Sequence, residues 1–261
     1  MADVRTTFGS PLEYISAVGV KTGNCENDGE QEGHRMIQSA LDHGLTELYM
    51  DVLTLGSMVE KAIQRAVAAL RTRNASLARR VIEEDAAIDQ LRYQTEERVL
   101  VLISMYQPVV HDLWAVTAAL NIITDLERMG DHAEGIATIS LMVGDEQPLK
   151  PLNDVPLMAE YTTDMLRRAL RAFANHDATL ARRIAAEDDT VDALYNQVYR
   201  ELLAIMLQDP RLIQQATLLL WAAHNLERVG DLVTSICERV IFTETGYMKD
   251  VTRKNNQINR E

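Results

Sequence analysis

Cysteine is almost missing from this chain: 261 residues carry only two, Cys25 and Cys237. Two so far apart make no disulfide framework and no zinc-binding spacing, and they point to a reducing cytoplasm. Aromatic residues are only 5% of the chain, while Ala, Leu, Arg, Glu and Met abound, a balance that favours helices over strands. No apolar run approaches the roughly 18 residues a membrane-spanning helix requires. The opening MADVRTTFGSPLEYISAVGVKTGN has neither the basic start nor the apolar stretch of a signal peptide. The expected location is the cytoplasm, with any membrane association going through a partner and not by direct insertion. Basic residues are outnumbered, and a net charge of −13 disfavours nucleic acid and anionic membranes as partners. A P-loop, a nucleophile elbow and a glycine-rich dinucleotide loop are also absent. So are the Glu-x-x-His pairs of ferritin-like di-metal oxidases, which argues against oxygen activation in a bundle core. The chain is not read as an enzyme.

What is present is a repeat. NASLARRVIEEDAAIDQL, from Asn74 to Leu91, aligns with DATLARRIAAEDDTVDAL, from Asp177 to Leu194, at an offset of 103. Leu77, Ala78, Arg79, Arg80, Asp85, Asp89 and Leu91 all find identical partners. Further on, NIITDLERMGDHAEGIA (Asn121 to Ala137) is echoed by AAHNLERVGDLVTSICE (Ala222 to Glu238), and the offset has become 100. The change falls around Pro108 and Pro210, where a connection can absorb three residues. Self-similarity of this kind marks a duplicated structural unit.

Each unit reads as three helices, in the first half over about Leu45 to Thr72, Ser76 to Tyr106 and His111 to Met142. Asn74 and Asp177 suit the N-cap of the second helix, and Pro108 and Pro210 should end it. The fold class expected is all-α, two tandem three-helix bundles related by an internal repeat. A proline-rich junction (Pro148, Pro151, Pro156) makes one continuous six-helix bundle the lesser alternative. The division predicted is a disordered extension over 1–40, a first bundle over 41–145, a linker over 146–156, a second bundle over 157–248 and a frayed tail over 249–261. The methionines Met58, Met105, Met129, Met142 and Met165 are expected to fill cores.

Residues four apart on a helix share a face, with Cβ atoms about 6 Å apart. Glu127 with Asp131 and Glu227 with Asp231 therefore each set two carboxylates side by side, around Gly130 and Gly230. Asp85 with Asp89 and Asp188 with Asp192 do the same on the preceding helix, with Glu84 and Glu187 adjacent. Like charges at this spacing cost about 0.2–0.5 kcal/mol per pair, and a helical glycine about 1 kcal/mol against alanine. Carrying both costs twice suggests a compensating gain. An all-oxygen set suits hard cations, and iron in carboxylate clusters. Against this stands the plainer account of solvated acidic surface, neutralised locally by Arg128 and Arg228, with glycine serving helix packing. His224 shares the face of Glu227, and Glu134 that of Asp131, without a matching residue in the other half. His132 reads as structural, and the Arg-Arg pairs as solvated.

Tandem three-helix units, each with an acidic second helix (EEDAAIDQL, AEDDTVDAL) and a Leu-Glu-Arg-x-Gly-Asp third helix, resemble the PhoU family of phosphate-signalling proteins. The resemblance covers about Leu45 to Thr245. It implies a cytoplasmic negative regulator of the phosphate regulon, modulating high-affinity phosphate uptake. Its implied partners are the ATPase subunit of the phosphate ABC transporter, a phosphate-sensing histidine kinase and a second copy of itself as homodimer. It also implies multinuclear metal clusters, of iron or zinc, with magnesium or manganese as alternatives. Matched residue by residue, the implied ligands are Asp85, Asp89, Glu127 and Asp131 in one unit and Asp188, Asp192, Glu227 and Asp231 in the other. The chain departs from the family at residues 1–40, which precede the usual first helix. It departs again at Leu232, where a histidine usually follows the aspartate, so the two sites are expected to differ. A metal-free acidic adaptor docking on basic partner surfaces is the alternative.

Overall fold

A computed structural model describes residues 28–144, 149 and 154–246. Seven α-helices are described: α1 Asp28–Thr72, α2 Ala75–Tyr106, α3 Val110–Val143, α4 Asp154–Ala174, α5 Ala178–Ala185, α6 Asp188–Gln208 and α7 Ile213–Thr245. A 3-10 turn, Pro210–Leu212, precedes α7. Among the described residues there is no strand.

The chain separates into two compact units, Met1–Asp42 and His43–Glu261. In the first, the described helix already runs from Asp28, so residues 28–40 are helical where the sequence predicts a disordered extension. Gly29 and Gly33 argue against helix there on propensity, and propensity alone does not decide the matter. The rest of that extension, the linker positions 145–148 and 150–153, and the tail from 247 lie outside the described residues.

In the second unit, the core of α1 is the stripe Leu48, Val52, Leu55, Val59, Ile63, Ala66 and Leu70, all buried. Steps of three and four place them on one helix face. Burying each large aliphatic side chain contributes about 1.5–3 kcal/mol. The contact between α1 and α4 is close: a Cβ on Gly56 would fall 2.1 Å from Leu170 Cδ1. The repeated turns are the same turn. Arg73 and His176 both take a left-handed φ of 54°. Asn74 and Asp177 then cap the next helix, their Oδ1 atoms accepting from Leu77 N at 3.0 Å and Leu180 N at 2.8 Å. Helices α2 and α6 stop before Pro108 and Pro210, at Tyr106 and Gln208.

Two tandem three-helix units related by an internal repeat are what the fold contains. The proline-rich junction does not separate them, however, since His43–Glu261 forms one compact unit. The third helices α3 and α7 make the most extensive pairing, followed by α2 with α3. The seam between α3 and α7 is partly polar. Ser235 Oγ donates to buried Asp125 at 2.8 Å, and His132 Nδ1 lies 2.8 Å from Asn225 Oδ1. Asp125 corresponds to Asn225 at the offset of 100, so the seam repeats its own pattern from each side.

The second helix of the second unit departs from expectation. It is broken between Ala185 and Asp188 into α5 and α6. Glu187 N bonds back to Ile184 O and Thr190 N to Glu187 O, both at 2.9 Å, so the chain tightens into three-residue hydrogen bonding there. Met129 and Met165 are core residues as expected, whereas Met105 and Met142 are 67% and 60% exposed. Met105 lies at the end of α2 and Met142 on the outer side of α3, where helical periodicity carries no partner.

Candidate functional site

Helix α2 runs beside α3, and α6 beside α7, so each pair of acidic helices meets along one line. At the centre of each line is the motif glycine. A Cβ on Gly130 would lie 3.1 Å from Asp85 Oδ1 and 3.2 Å from Ile88; on Gly230, 2.9 Å from Asp188 Oδ1 and 3.3 Å from Val191. The glycine thus lets an aspartate of the preceding helix rest against the backbone of the third.

The eight carboxylates expected from the sequence form two sets. Asp85 is pushed up to about 6, by burial first and then by Asp89, Glu134, Asp131 and Glu127. Asp188 is pushed up to about 7, by burial and then by Asp192, Asp231, Glu227 and Asp189. Partial desolvation and mutual repulsion likewise raise Glu127, Asp131, Asp192 and Glu227. Each set is a ladder of like charges held within each other's field. Among the described residues no group of three or more His, Cys, Asp or Glu side chains is placed to hold a metal ion.

The ends of the ladders differ. In the first, Glu134 adds a fifth carboxylate beside Asp85, and Arg92 faces Glu127 and lowers its pKa. In the second, the counterpart of Glu134 is Thr234, and those of Arg92 and Thr124 are Tyr195 and His224. The His224 and Tyr195 rings lie 6.0 Å apart. His224 Nδ1 is 3.3 Å from Glu227 Oε2, yet that oxygen is sealed from solvent and accepts no aligned hydrogen bond. Arg228 pairs with Asp231 at 2.5 Å. Asp188 is 9% exposed, and burial first and then neighbouring like charges raise its pKa.

Glu84 and Glu187 do not join the ladders. Arg65 of α1 takes Glu84. Arg168 of α4 takes Glu187 with two hydrogen bonds, one of 2.8 Å from Nη1, and holds its carboxyl below the usual range. Sequence reasoning misses these two arginines. Arg65 and Arg168 nevertheless stand 103 apart, so the repeat extended back past Asn74 carries the signal. Arg228 on Asp231 is the local neutralisation expected of it. His132 belongs to the α3–α7 seam, and burial lowers its pKa. Cys237 is buried with its thiol pushed up to about 12, an unreactive state.

Helical units that each align two acidic pairs across a glycine define a class, and comparison with known proteins shows which. The PhoU domain pattern matches residues 52–140 and 155–240, one match per repeat. The chain is 37% identical over 202 residues to a phosphate-specific transport system accessory protein PhoU homolog of Aquifex aeolicus, covering 77% of this chain and 91% of the relative. It is 34% identical over 217 residues to the namesake of Clostridium acetobutylicum, covering 83% and 99%. Its fold is similar to the crystal structure of the phosphate transport system regulatory protein PhoU from Streptococcus pneumoniae, with a TM-score of 0.76, 32% identity and coverage of 80% and 99%. PhoU from Pseudomonas aeruginosa gives 0.76 and 33%, covering 79% and 99%. The chain belongs to the PhoU family. Among the described residues no helix is long and apolar enough to cross a membrane.

Proposed function

We propose that this chain is a metal-binding regulatory adaptor of phosphate uptake and phosphate-starvation signalling, acting by contact and not by catalysis. Its relatives are accessory proteins of phosphate-specific transport. The observation that carries the metal part is the pair of carboxylate ladders built around Gly130 and Gly230. Such a set stores repulsion that a bound cation would cancel.

The residues fit a cation in donor chemistry. The acidic pairs of each ladder supply carboxylate oxygens, each glycine clears space at the ladder's centre, and Asp188 is buried among like charges. Asp85, Asp89, Glu127 and Asp131 would hold one ion or cluster, and Asp188, Asp192, Glu227 and Asp231 the other. Iron or zinc clusters are the favoured occupants, with magnesium or manganese as the hard-cation alternative. Bound metal supplies positive charge, which orders the acidic face and sets the surface it offers to partners. Those partners are the ATPase subunit of a phosphate ABC transporter and a phosphate-sensing histidine kinase, met by a cytoplasmic homodimer.

The test replaces Glu127, Asp131, Glu227 and Asp231 with their amides and follows the phosphate-starvation response in cells. Derepression in high phosphate, with the variant still helical and abundant, is expected. Unchanged repression would sink the metal-dependent reading. Partner binding that weakens with salt and ignores chelators would then favour direct acidic docking.

A further inference from the structure

The first helices of the two repeats, α1 and α4, pack against each other, and one half of their seam is open. A cleft of about 260 Å³ lies there, lined by Gln64, Val67 and Arg71 of α1 and by Ala159, Glu160 and Thr163 of α4. We propose that it binds a free α-amino acid with an aliphatic side chain, at a site that shares no residue with the acidic ladders.

The repeat shows how the cleft arises. Gly56 meets Leu170 and Glu60 meets Arg167, so α1 and α4 run antiparallel. At the offset of 103, each lining residue therefore has a counterpart on the other half of the same seam. The counterparts of Ala159 and Val67 are Gly56 and Leu170, and a Cβ on that glycine would fall 2.1 Å from the leucine Cδ1. The counterparts of Thr163 and Gln64 are Glu60 and Arg167, which close their half with an ion pair. In the cleft the valine is a methylene shorter than leucine, the alanine methyl keeps it off the facing backbone, and Gln64 and Thr163 carry no charge to pair. One seam is thus filled on one half and open on the other.

The opening offers both charges and an apolar wall. Val67, Ala68, Pro156 and Ala159 supply the wall. Among the described residues the side chains of Arg71 and Glu160 make no ion pair, with each other or with another group. Thr163 Oγ1 donates to Ala159 O at 2.7 Å, which leaves that hydroxyl as an acceptor. Gln64 Nε2 donates to Glu60 Oε1 at 3.1 Å, which leaves the amide oxygen. A guanidinium suits a carboxylate, and a carboxylate with two neutral oxygens suits an ammonium. Together on an apolar wall they complement a zwitterion. A simple anion would leave Glu160 facing its charge, an amine would leave Arg71, and a peptide terminus carries only one of the two groups. The volume lies just under the usual ligand-pocket range of about 300–1,000 Å³, as a ligand of amino-acid size requires.

The experiment is calorimetric titration of the full chain with L-leucine, beside isocaproate, which lacks the ammonium, and isoamylamine, which lacks the carboxylate. Leucine should bind with a Kd of about 1 mM or tighter, and each analogue at least about fivefold more weakly. The variants borrow the residues that the repeat carries at the matching positions. Arg71→Ala (after Ala174) and Glu160→Ser (after Ser57) should each weaken leucine about fivefold or more, a modest loss because both groups reach water. Val67→Leu/Ala159→Gly rebuilds the filled half and should abolish binding, with helicity unchanged by circular dichroism. No binding of leucine up to about 10 mM overturns the proposal. So does either analogue binding as tightly as leucine, which reduces the site to a single charge. Undiminished binding in the filled variant places the ligand elsewhere and overturns it too. Should that variant lose helicity, the two rim variants decide, and leucine affinity equal to the parent's in both overturns the assignment.

Discussion

The two repeats share their helices, caps, turns and acidic pairs, yet they hold their central aspartate differently. Asp85 sits on an unbroken α2 and is half-buried. Asp188 opens α6 just after the chain has tightened, and is 9% exposed. Glu84 meets Arg65 between two half-exposed side chains, whereas Glu187 is gripped by both Nη atoms of Arg168. The break in the helix and the stronger arginine grip occur together in the second repeat. A duplicated sequence therefore does not yield duplicated sites: a local tightening of the backbone changes the burial, and so the charge energetics, of the same residue.

The comparison can be broken most forcefully at those aspartates. Asp188 has a folded pKa of about 7 against an ordinary 3.8. Its proton therefore contributes stability that is fully present below about pH 4 and is lost as pH rises through about 7. Above that, ionised Asp188 weighs against the fold. Asp188→Asn should stabilise the metal-free chain at pH 8 by about 2–3 kcal/mol, read from urea unfolding in chelator. Asp85→Asn, at a more solvated site, should give about 1 kcal/mol, and in both variants the loss of stability between pH 4 and 7 should flatten. Equal gains would mean that the two sites are alike after all.

The glycines give a smaller contrast. Alanine at position 230 gains about 1 kcal/mol of helix propensity but must displace buried Asp188, a crowding cost of about 1–3 kcal/mol. Gly230→Ala should therefore be neutral to destabilising by about 1–2 kcal/mol. Gly130→Ala, whose Cβ would meet its neighbours at 3.1 Å and beyond, should fall nearer zero. Thermal unfolding of the two variants side by side checks this.

The arginines give the smallest effect. Arg168→Met should cost about 1–2 kcal/mol, and Arg65→Met under about 1 kcal/mol, because its pair is exposed and screened. The pair's contribution through Glu187, whose pKa is lowered, is present at neutral pH and fades as pH falls through the carboxylate range. Added salt should narrow the gap between the two variants.

Much of this contrast can be read from the amino-acid sequence. The offset of 103 sets which residues correspond, Asn74 and Asp177 announce their caps, and the spacing of Glu127 with Asp131 puts both acids on one face. These features are local, and helix geometry alone determines them. The break at Ala186–Glu187 is not legible in this way, because Ala-Ala-Glu is good helix sequence and the partner that grips Glu187 lies on α4, in Arg168. Nor is the α3–α7 seam. Hydrophobic periodicity shows that a face of Ala222, Leu226 and Val229 is buried without naming the helix that buries it. The ends of the ladders fall between. Spacing points to His224 and Glu134, but Tyr195 and Arg92 become meaningful only once α2 lies on α3 and α6 on α7.

The central claim is that the acidic ladders hold cations, and elemental analysis tests it most directly. The untagged chain, purified without chelator, would be compared with the variant Glu127→Gln, Asp131→Asn, Glu227→Gln, Asp231→Asn, both checked for helicity. Several metal equivalents in the parent and none in a variant that remains helical is the predicted result. No metal in either, even after supplying iron, manganese, zinc and magnesium, would contradict the account.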